Sequence, residues 1–236
     1  MATTEMAKAG DSTEILARLR SFSRPESLEG MSRFGIETKE ALGVSIPKLR
    51  TLAKETGKDH ELAQELWASG VHEARILATM VDDPRKVSEE QMELWTGDFD
   101  SWDVCDQCCS NLFDKTSFAR AKAVEWSERE QEFVKRAGFV LMATLAVHDK
   151  EARDDDFLQF LSIIKESCDD ERNFVKKSVN WALRQIGKRN IRLNKAAVLL
   201  ARDILKSNSK TAKWIASDAL RELTSRAVQA KLSRKD

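Results

Sequence analysis

A repeat of about 40 residues constrains this chain more than any other feature of its sequence. The segment Phe133–Val140 resembles Phe174–Trp181, which starts 41 residues later, and Trp214–Arg221 starts 40 residues after that. Each segment begins with an aromatic residue followed by a β-branched one. The helical segments Phe157–Ser167 and Lys195–Lys206 precede the second and third copies. Two helices in a period of about 40 residues are typical of HEAT-type repeats.

Turn-forming residues are scarce, which favours helices throughout the chain. The 236 residues include nine Gly and three Pro, too few for the many turns of a β-sandwich or barrel. The segments Glu61–Trp67 and His72–Val81 indicate an earlier, more divergent helix pair. Because one helix pair cannot bury its apolar face alone, neighbouring pairs must stack. We therefore predict an all-α, HEAT-like helical-repeat solenoid, curved, in a single domain over 1–236, with a flexible segment at 1–11 and a polar C-terminal tail at 228–236.

Several classes of protein are disfavoured by the sequence. No apolar run approaches the roughly 18 residues of a membrane span, and the first 11 residues lack the pattern of a secretory signal. Cys105, Cys108 and Cys109 are bunched, which argues against a disulfide framework and favours a reducing cytosol. They lack a second cysteine pair or a nearby His, so we expect small buried helix residues and no metal site. We expect a cytoplasmic protein, associated with the nucleoid if the source is bacterial or archaeal.

The net charge of zero conceals a strong polarisation along the chain. Residues 171–236 contain 17 basic and 5 acidic residues, a net charge of +12, whereas residues 1–170 carry −12. A flank this basic most often contacts phosphate, so the charge favours a nucleic-acid partner. The alternative is that the basic helices dock on acidic neighbours within the protein.

The segment Asp98–Cys109 contains the strongest candidate for a site of chemistry. Asp100 or Ser101 is expected to cap a helix, and the helix dipole favours acidic residues in the first turn of that helix. Trp102 and Asp106 follow at the i, i+4 spacing and so share one face of that helix. An aromatic ring beside a carboxylate suits a cationic guest, because both attract positive charge. The alternative is a buried Trp next to a solvated Asp.

Two further residues stand out in the basic half of the chain. Trp181 lies among basic residues, where an aromatic ring could face a base or a sugar; the alternative is a core Trp. Arg136 stands one repeat earlier and could hold a phosphate by two hydrogen bonds; the alternative is a salt bridge between repeats. The basic residues expected to contact DNA are Lys135, Lys176, Lys177, Arg184, Lys188, Arg189, Arg192 and Lys213.

Taken together, these residues resemble the AlkD-like DNA alkylation repair family over nearly the whole chain. The resemblance implies a HEAT-like solenoid that grips duplex DNA on its concave face and excises N3- and N7-alkylpurines without a metal or organic cofactor. It also implies that Trp102, Asp106 and Trp181 are the active-site aromatic, carboxylate and second aromatic, and that Arg136 contacts the DNA backbone. The matching segments are Phe34–Ile36, Leu42–Arg50, Leu66–Trp67, Glu73–Arg75, Ser101–Asp103 with Asp106, Phe174–Lys177 and Trp181–Arg184.

The chemistry of such a reaction fits the residues independently. An N3- or N7-alkylated purine carries a positive charge and leaves without protonation, so one carboxylate can replace the pair that glycosidic cleavage usually needs. We therefore predict a cofactor-independent DNA glycosylase that hydrolyses the N-glycosidic bond of cationic alkylpurines in duplex DNA and acts as a monomer. Two alternatives remain: a non-catalytic binder of DNA structure or damage, and a solenoid that binds protein partners.

Overall fold

The computed structural model describes residues 11–234, and in this range the chain forms fourteen α-helices and no β-strand. The chain divides into two compact units, one ending at Leu112 and the other beginning at Phe113. The helices of the first unit are α1 (Ser12–Ser21), α2 (Leu28–Arg33), α3 (Ile46–Thr56), α4 (His60–Ala68), α5 (His72–Val81), α6 (Glu89–Gly97) and α7 (Trp102–Asn111). Those of the second are α8 (Ala119–Ser127), α9 (Glu132–His148), α10 (Asp154–Glu166), α11 (Asn173–Gly187), α12 (Ile191–Ile204), α13 (Lys210–Leu223) and α14 (Arg226–Leu232).

Alternate helices of the second unit pack side by side, as the sequence repeat predicts. Helix α11 packs against both α9 and α13, and the preceding helices α8, α10 and α12 pack against α9, α11 and α13 respectively. Phe139, Leu183 and Ile215, one from each of the three central helices, are fully buried. Each helix pair therefore buries its apolar face against its neighbour, as helical repeats do. The predicted all-α helical-repeat fold class is confirmed.

The helix boundaries of the third repeat differ from the sequence prediction. Helix α13 begins at Lys210 rather than Trp214, because the Ser209 side chain accepts a hydrogen bond from the Ala212 backbone N–H and caps the helix there. Helix α12 likewise begins before Lys195, where the Asn190 side chain caps it. The repeat thus locates the helices, and the capping residues set where they start.

Both ends of the chain extend beyond the described residues. The segment predicted to be flexible, 1–11, lies outside them except for its last residue, Asp11, which caps α1 through its side chain. The predicted polar tail, 228–236, is helical as far as Leu232, whose side chain is buried. The prediction that residues 1–236 form a single domain stays a prediction. None of the helices within 11–234 is long and apolar enough to cross a membrane.

A buried carboxylate fixes the long connection between α2 and α3 in the first unit. Glu73, on α5, is 1% exposed and accepts hydrogen bonds from three successive backbone amides, those of Leu42 (2.8 Å), Gly43 (2.6 Å) and Val44 (3.1 Å). Gly43 has a positive φ of 76°, and a Cβ atom there would collide with the carbonyl oxygen of Arg24. The carboxylate therefore supplies acceptors that a loop without regular structure cannot supply itself.

Replacing Glu73 by Ala is expected to destabilise the first unit. Three amide donors, two of them buried, would lose their acceptor, which costs about 3 kcal/mol or more in the free energy of unfolding. Chemical denaturation followed by far-UV circular dichroism measures the loss. The matched control is Glu65→Ala on the exposed face of α4, expected to change stability by less than about 0.5 kcal/mol. Equal effects of the two substitutions would contradict the anchoring role of Glu73.

Candidate functional site

Helix α7 has one buried face and one open face, and the candidate residues lie on the open one. Val104, Cys105, Cys108 and Cys109 are fully buried, whereas Trp102 and Asp106, one turn apart, are only partly buried. The cysteines are therefore the small core residues that the sequence predicts. Burial raises the pKa of the Cys108 and Cys109 thiols well above their ordinary value, so neither serves as a nucleophile.

The connection between α2 and α3 holds the indole ring of Trp102. The indole N–H of Trp102 donates to the backbone carbonyl of Phe34 at 3.0 Å. The residue before it, Ser101, occupies the N-cap position of α7, and its hydroxyl accepts from the backbone N–H of Glu37 at 2.8 Å. Ser101 is thus the cap residue of the two that the sequence allowed. The same connection that Glu73 anchors therefore also fixes the ring.

The segment Asp98–Cys109 contains four Asp residues, and three of them, Asp100, Asp103 and Asp106, differ in their surroundings. Asp100 lies 3.6 Å from the guanidinium of Arg75, and Asp103 lies 2.9 Å from the imidazole Nε2 of His72. Asp106 is partly buried on the face that it shares with Trp102. Asp100 and Asp103 thus pair with basic side chains of α5, and Asp106 lies on the face of α7 where the i, i+4 spacing predicts it.

The pKa of His72, which lies close to the candidate residues in α7, is raised above its ordinary value. Burial by itself lowers its pKa, but the hydrogen bond with Asp103 and the negative charges of Asp103, Glu73 and Asp100 outweigh it, so the pKa lies above the ordinary 6.5. The imidazole links α5 to the first turn of α7, where Trp102 stands. The charge on this histidine therefore helps to position the start of α7.

In the second unit, Trp181 lies on a partly exposed stripe that follows α11 to its C-cap. Lys177, Trp181, Arg184 and Lys188 follow one another at spacings of three and four residues, and none of them is buried, whereas Ala182 and Leu183 between them are. Trp181 is partly buried, and within residues 11–234 its indole N–H has no hydrogen-bond partner. The structure thus places this aromatic at the surface among cations rather than in the core.

Several of the basic residues expected to contact DNA are engaged within the second unit. Arg184 and Lys188 each lie 2.6 Å from the carboxylate of Glu222, and Lys135 lies 3.4 Å from Asp170. These three cations, and Arg192 with Asp155, pair with acidic neighbours as the alternative describes. Arg189 is also engaged, but it donates to the carbonyls of Ala146 and Ala152 and lies over the Phe157 ring.

The remaining three basic candidates are less engaged. Lys177 and Lys213 are exposed, and neither has an ion-pair partner within the described residues. Lys176 lies over the ring of Trp214, with Nζ 5.4 Å from the ring centroid. These lysines are therefore the ones available to a phosphate without breaking an ion pair.

Arg136 lies inside the second unit rather than on its surface. The residue is 5% exposed, and its guanidinium donates to the backbone carbonyl of Phe174 at 2.6 Å. This contact links α9 to the first turn of α11 and is a hydrogen bond between repeats, close to the alternative of a salt bridge between repeats. The predicted contact of Arg136 with the DNA backbone stays a prediction, and it requires the side chain to be uncovered.

Two exposed aromatic residues were not singled out by the sequence. Phe34, whose carbonyl binds Trp102, leaves 75% of its surface in water, and Trp214 on α13 leaves 45%. The sequence shows both only as parts of repeated or family-like segments. The sequence nevertheless contains a signal for Trp214, because Lys210 and Lys213 lie just before it. Phe174, its equivalent one repeat earlier, is likewise followed by Lys176 and Lys177.

Comparisons with known proteins give a family model, a relative and a similar solved structure. The sequence model of the family described as "DNA alkylation repair enzyme" matches residues 15–223. An uncharacterized protein of Listeria innocua is 24% identical over 195 residues, covering 81% of this chain and 85% of the relative. A solved structure, described as "a new family of proteins related to the HEAT-like repeat DNA glycosylases with affinity for branched DNA structures", superposes with a TM-score of 0.76 at 19% identity. The superposition covers 91% of this chain and 96% of the solved one and confirms a HEAT-like fold.

The pairing of His72 with Asp103 predicts a pH dependence of stability. Because the folded pKa of His72 is raised, its contribution is complete below the unfolded pKa of about 6.5 and disappears as the pH rises through the folded pKa. The stability difference between the parent and Asp103→Asn should therefore be largest at acid pH and shrink above neutrality. Denaturation across this range measures it, and NMR titration of the three histidines provides the site-specific check. A His72 midpoint below 6.5 in the parent would contradict the assignment.

Proposed function

This chain belongs to the DNA alkylation repair enzyme family, and we propose that it is a glycosylase for N3- and N7-alkylated purines in duplex DNA. The observation that carries the proposal is the open face of α7. There a partly buried carboxylate, Asp106, follows one turn after an indole ring, Trp102, that a hydrogen bond fixes to the carbonyl of Phe34. A carboxylate beside an indole ring suits a cationic guest, because both groups attract positive charge.

The proposed reaction breaks the bond between C1′ of the sugar and the purine nitrogen. The bonding electrons leave with the base, whose positive charge they neutralise, and positive charge develops on the sugar. Asp106 stabilises that charge and orients a water molecule, whose oxygen bonds to C1′ while its proton passes to the carboxylate or to solvent. Trp102 offers its π face to the cationic base or sugar, and the role of Trp181 as the second aromatic stays a prediction. No general acid is required, because the departing purine is already cationic before the bond breaks.

The basic surface of the second unit supports a DNA partner. On α11, Trp181 stands one turn from the exposed Lys177, and on α13 Lys213 is also exposed. Lysines without an ion-pair partner in the described residues give a sequence-independent affinity that falls with salt. We propose that Arg136 assists by holding the Phe174 carbonyl, and with it the first turn of α11. The monomeric state and cytoplasmic location stay predictions.

A second function from another class is favoured by one comparison. The relative of known structure is described as having affinity for branched DNA structures, and it is 19% identical to this chain. A binder of DNA structure without catalysis would need the basic stripe of α11 but no carboxylate beside Trp102. The role of Asp106 therefore discriminates between the two functions.

Asp106→Asn is expected to slow the release of 7-methylguanine and 3-methyladenine from methylated duplex DNA by about 100-fold or more, because the electrostatic stabilisation of the sugar cation is lost. Chromatography of the released bases under single-turnover conditions measures the rate. Duplex binding, measured in parallel, should be unchanged or slightly tighter, since a negative charge is removed.

The matched control is Glu90→Gln, which removes an exposed carboxylate in the first turn of α6. It should leave release unchanged. If the parent releases neither base but binds DNA in a salt-dependent manner, the glycosylase proposal fails and the non-catalytic binder is supported. If Glu90→Gln slows release as much as Asp106→Asn does, the catalytic role of Asp106 fails.

A further inference from the structure

Helix α13 exposes a large aromatic residue, Trp214, that does not belong to the buried core. Its buried side is formed by Ala212, Ile215, Ala216 and Ala219, each with no exposed surface. Trp214 lies on the opposite side and leaves 45% of its surface in water. Isolated exposed apolar residues are common on proteins, so the exposure gains meaning only from what surrounds the ring.

The surroundings of Trp214 are cationic. The Lys176 ammonium, from the first part of α11, lies 5.4 Å from the centroid of the ring. Lys177 on α11, and Lys210 and Lys213 on α13, are exposed, and none of the three has an ion-pair partner within residues 11–234. These five residues define what we call the Trp214 patch: Lys176, Lys177, Lys210, Lys213 and Trp214.

The charges of the Trp214 patch do not serve helix stability. All four lysines lie in the first two turns of their helices, and neither α11 nor α13 has an acidic residue in its first turn. The N-terminal end of a helix is already positive, so cations there are less favourable than anions would be. The four lysines thus carry an electrostatic cost and have no ion-pair partner within residues 11–234, and an anionic partner from outside removes that cost.

The combination of a ring and four cations identifies the partner. Lysines alone are enough to bind a phosphate, and an exposed indole adds nothing to that contact. A nucleotide offers both a phosphate for the lysines and a flat base that can stack on the indole. In an intact duplex the bases are already stacked on one another and cannot lie on a side chain. We propose that the Trp214 patch binds single-stranded DNA, with an unpaired base stacked on the Trp214 indole and the neighbouring phosphates bound by the lysines.

This binding site is separate from the proposed glycosylase chemistry. It uses neither Trp102 nor Asp106 nor Trp181, and it does not require that the protein cleave any bond. It adds to the duplex surface a place for the unpaired strand at a fork, flap or gap. Lys176, Lys177 and Lys213 would then contact DNA in both modes, whereas Trp214 would act only on unpaired bases.

The decisive variant is Trp214→Ala, tested with an undamaged thymidine oligonucleotide and with an undamaged duplex. Stacking on an aromatic residue contributes enough that its loss should weaken single-strand binding by about 5- to 150-fold. Duplex affinity and the release of methylpurines should not change. The matched control is Leu199→Ala, which removes another exposed apolar side chain, on α12, and should affect neither affinity.

A spectroscopic readout keeps the test independent of folding defects. A base stacked on indole quenches its fluorescence, so the difference between the parent and Trp214→Phe isolates one of the six tryptophans. We expect the quenching by the oligonucleotide to fall markedly in Trp214→Phe, with the melting temperature unchanged. Lys213→Gln should reduce the salt dependence of single-strand binding, with a change of about 0.7 in the logarithmic slope.

The inference is overturned if the parent fails to bind the oligonucleotide or if Trp214→Ala binds it as tightly as the parent does. It is also overturned if the variants at Trp214 lose as much affinity for the duplex as for the single strand. Its fate is distinguishable from that of the proposed function. Suppose that the parent releases no methylpurine and that Trp214→Ala binds the single strand more weakly than the parent does. This result would refute the glycosylase and support the single-strand site.

Discussion

The candidate site of the first unit depends on the hydrogen bonds that the buried carboxylate of Glu73 accepts. By accepting three consecutive amide hydrogens, it gives a defined path to a connection that has no helix or strand of its own. That path places the Phe34 carbonyl against the Trp102 indole and the Glu37 amide against the Ser101 hydroxyl. The aromatic ring of Trp102 is therefore positioned through a buried residue of another helix, α5. A side chain held in this way needs little reorganisation when a ligand arrives.

The second unit uses close packing of helices for a comparable end. At Gly138 the backbones of α8 and α9 approach so closely that a Cβ atom would collide with the backbone of Ser127. Because α9 is buried along most of its length, its cations are directed inwards or to its first turn, as Arg136 and Lys135 show. The surface left for a partner is then provided by α11 and α13, whose outer faces remain open. Packing thus decides which of the many basic residues of this half can act.

The sequence alone predicts the large features of this protein and the identity of its candidate residues. The repeat locates the stacked helices, and the i, i+4 spacing correctly puts Trp102 and Asp106 on one face of α7. It does not predict that α13 starts four residues before Trp214, because a single serine cap, rather than the apolar pattern, sets that start. Nor does it separate paired from unpaired cations: Arg184 finds Glu222 across 38 residues of sequence, and such long-range partners depend on the packing of the repeats.

The buried cysteines beneath the candidate residues have a consequence for survival of the protein in damaged cells. Methylating agents that modify purines also attack thiolates, which are far better nucleophiles than thiols. Cys108 and Cys109 have no exposed surface, and burial keeps their pKa high, so both remain in the unreactive protonated form. The helix that carries Asp106 on its open face thus buries its thiols on the opposite face. A repair protein built in this way resists the electrophiles whose products it would remove.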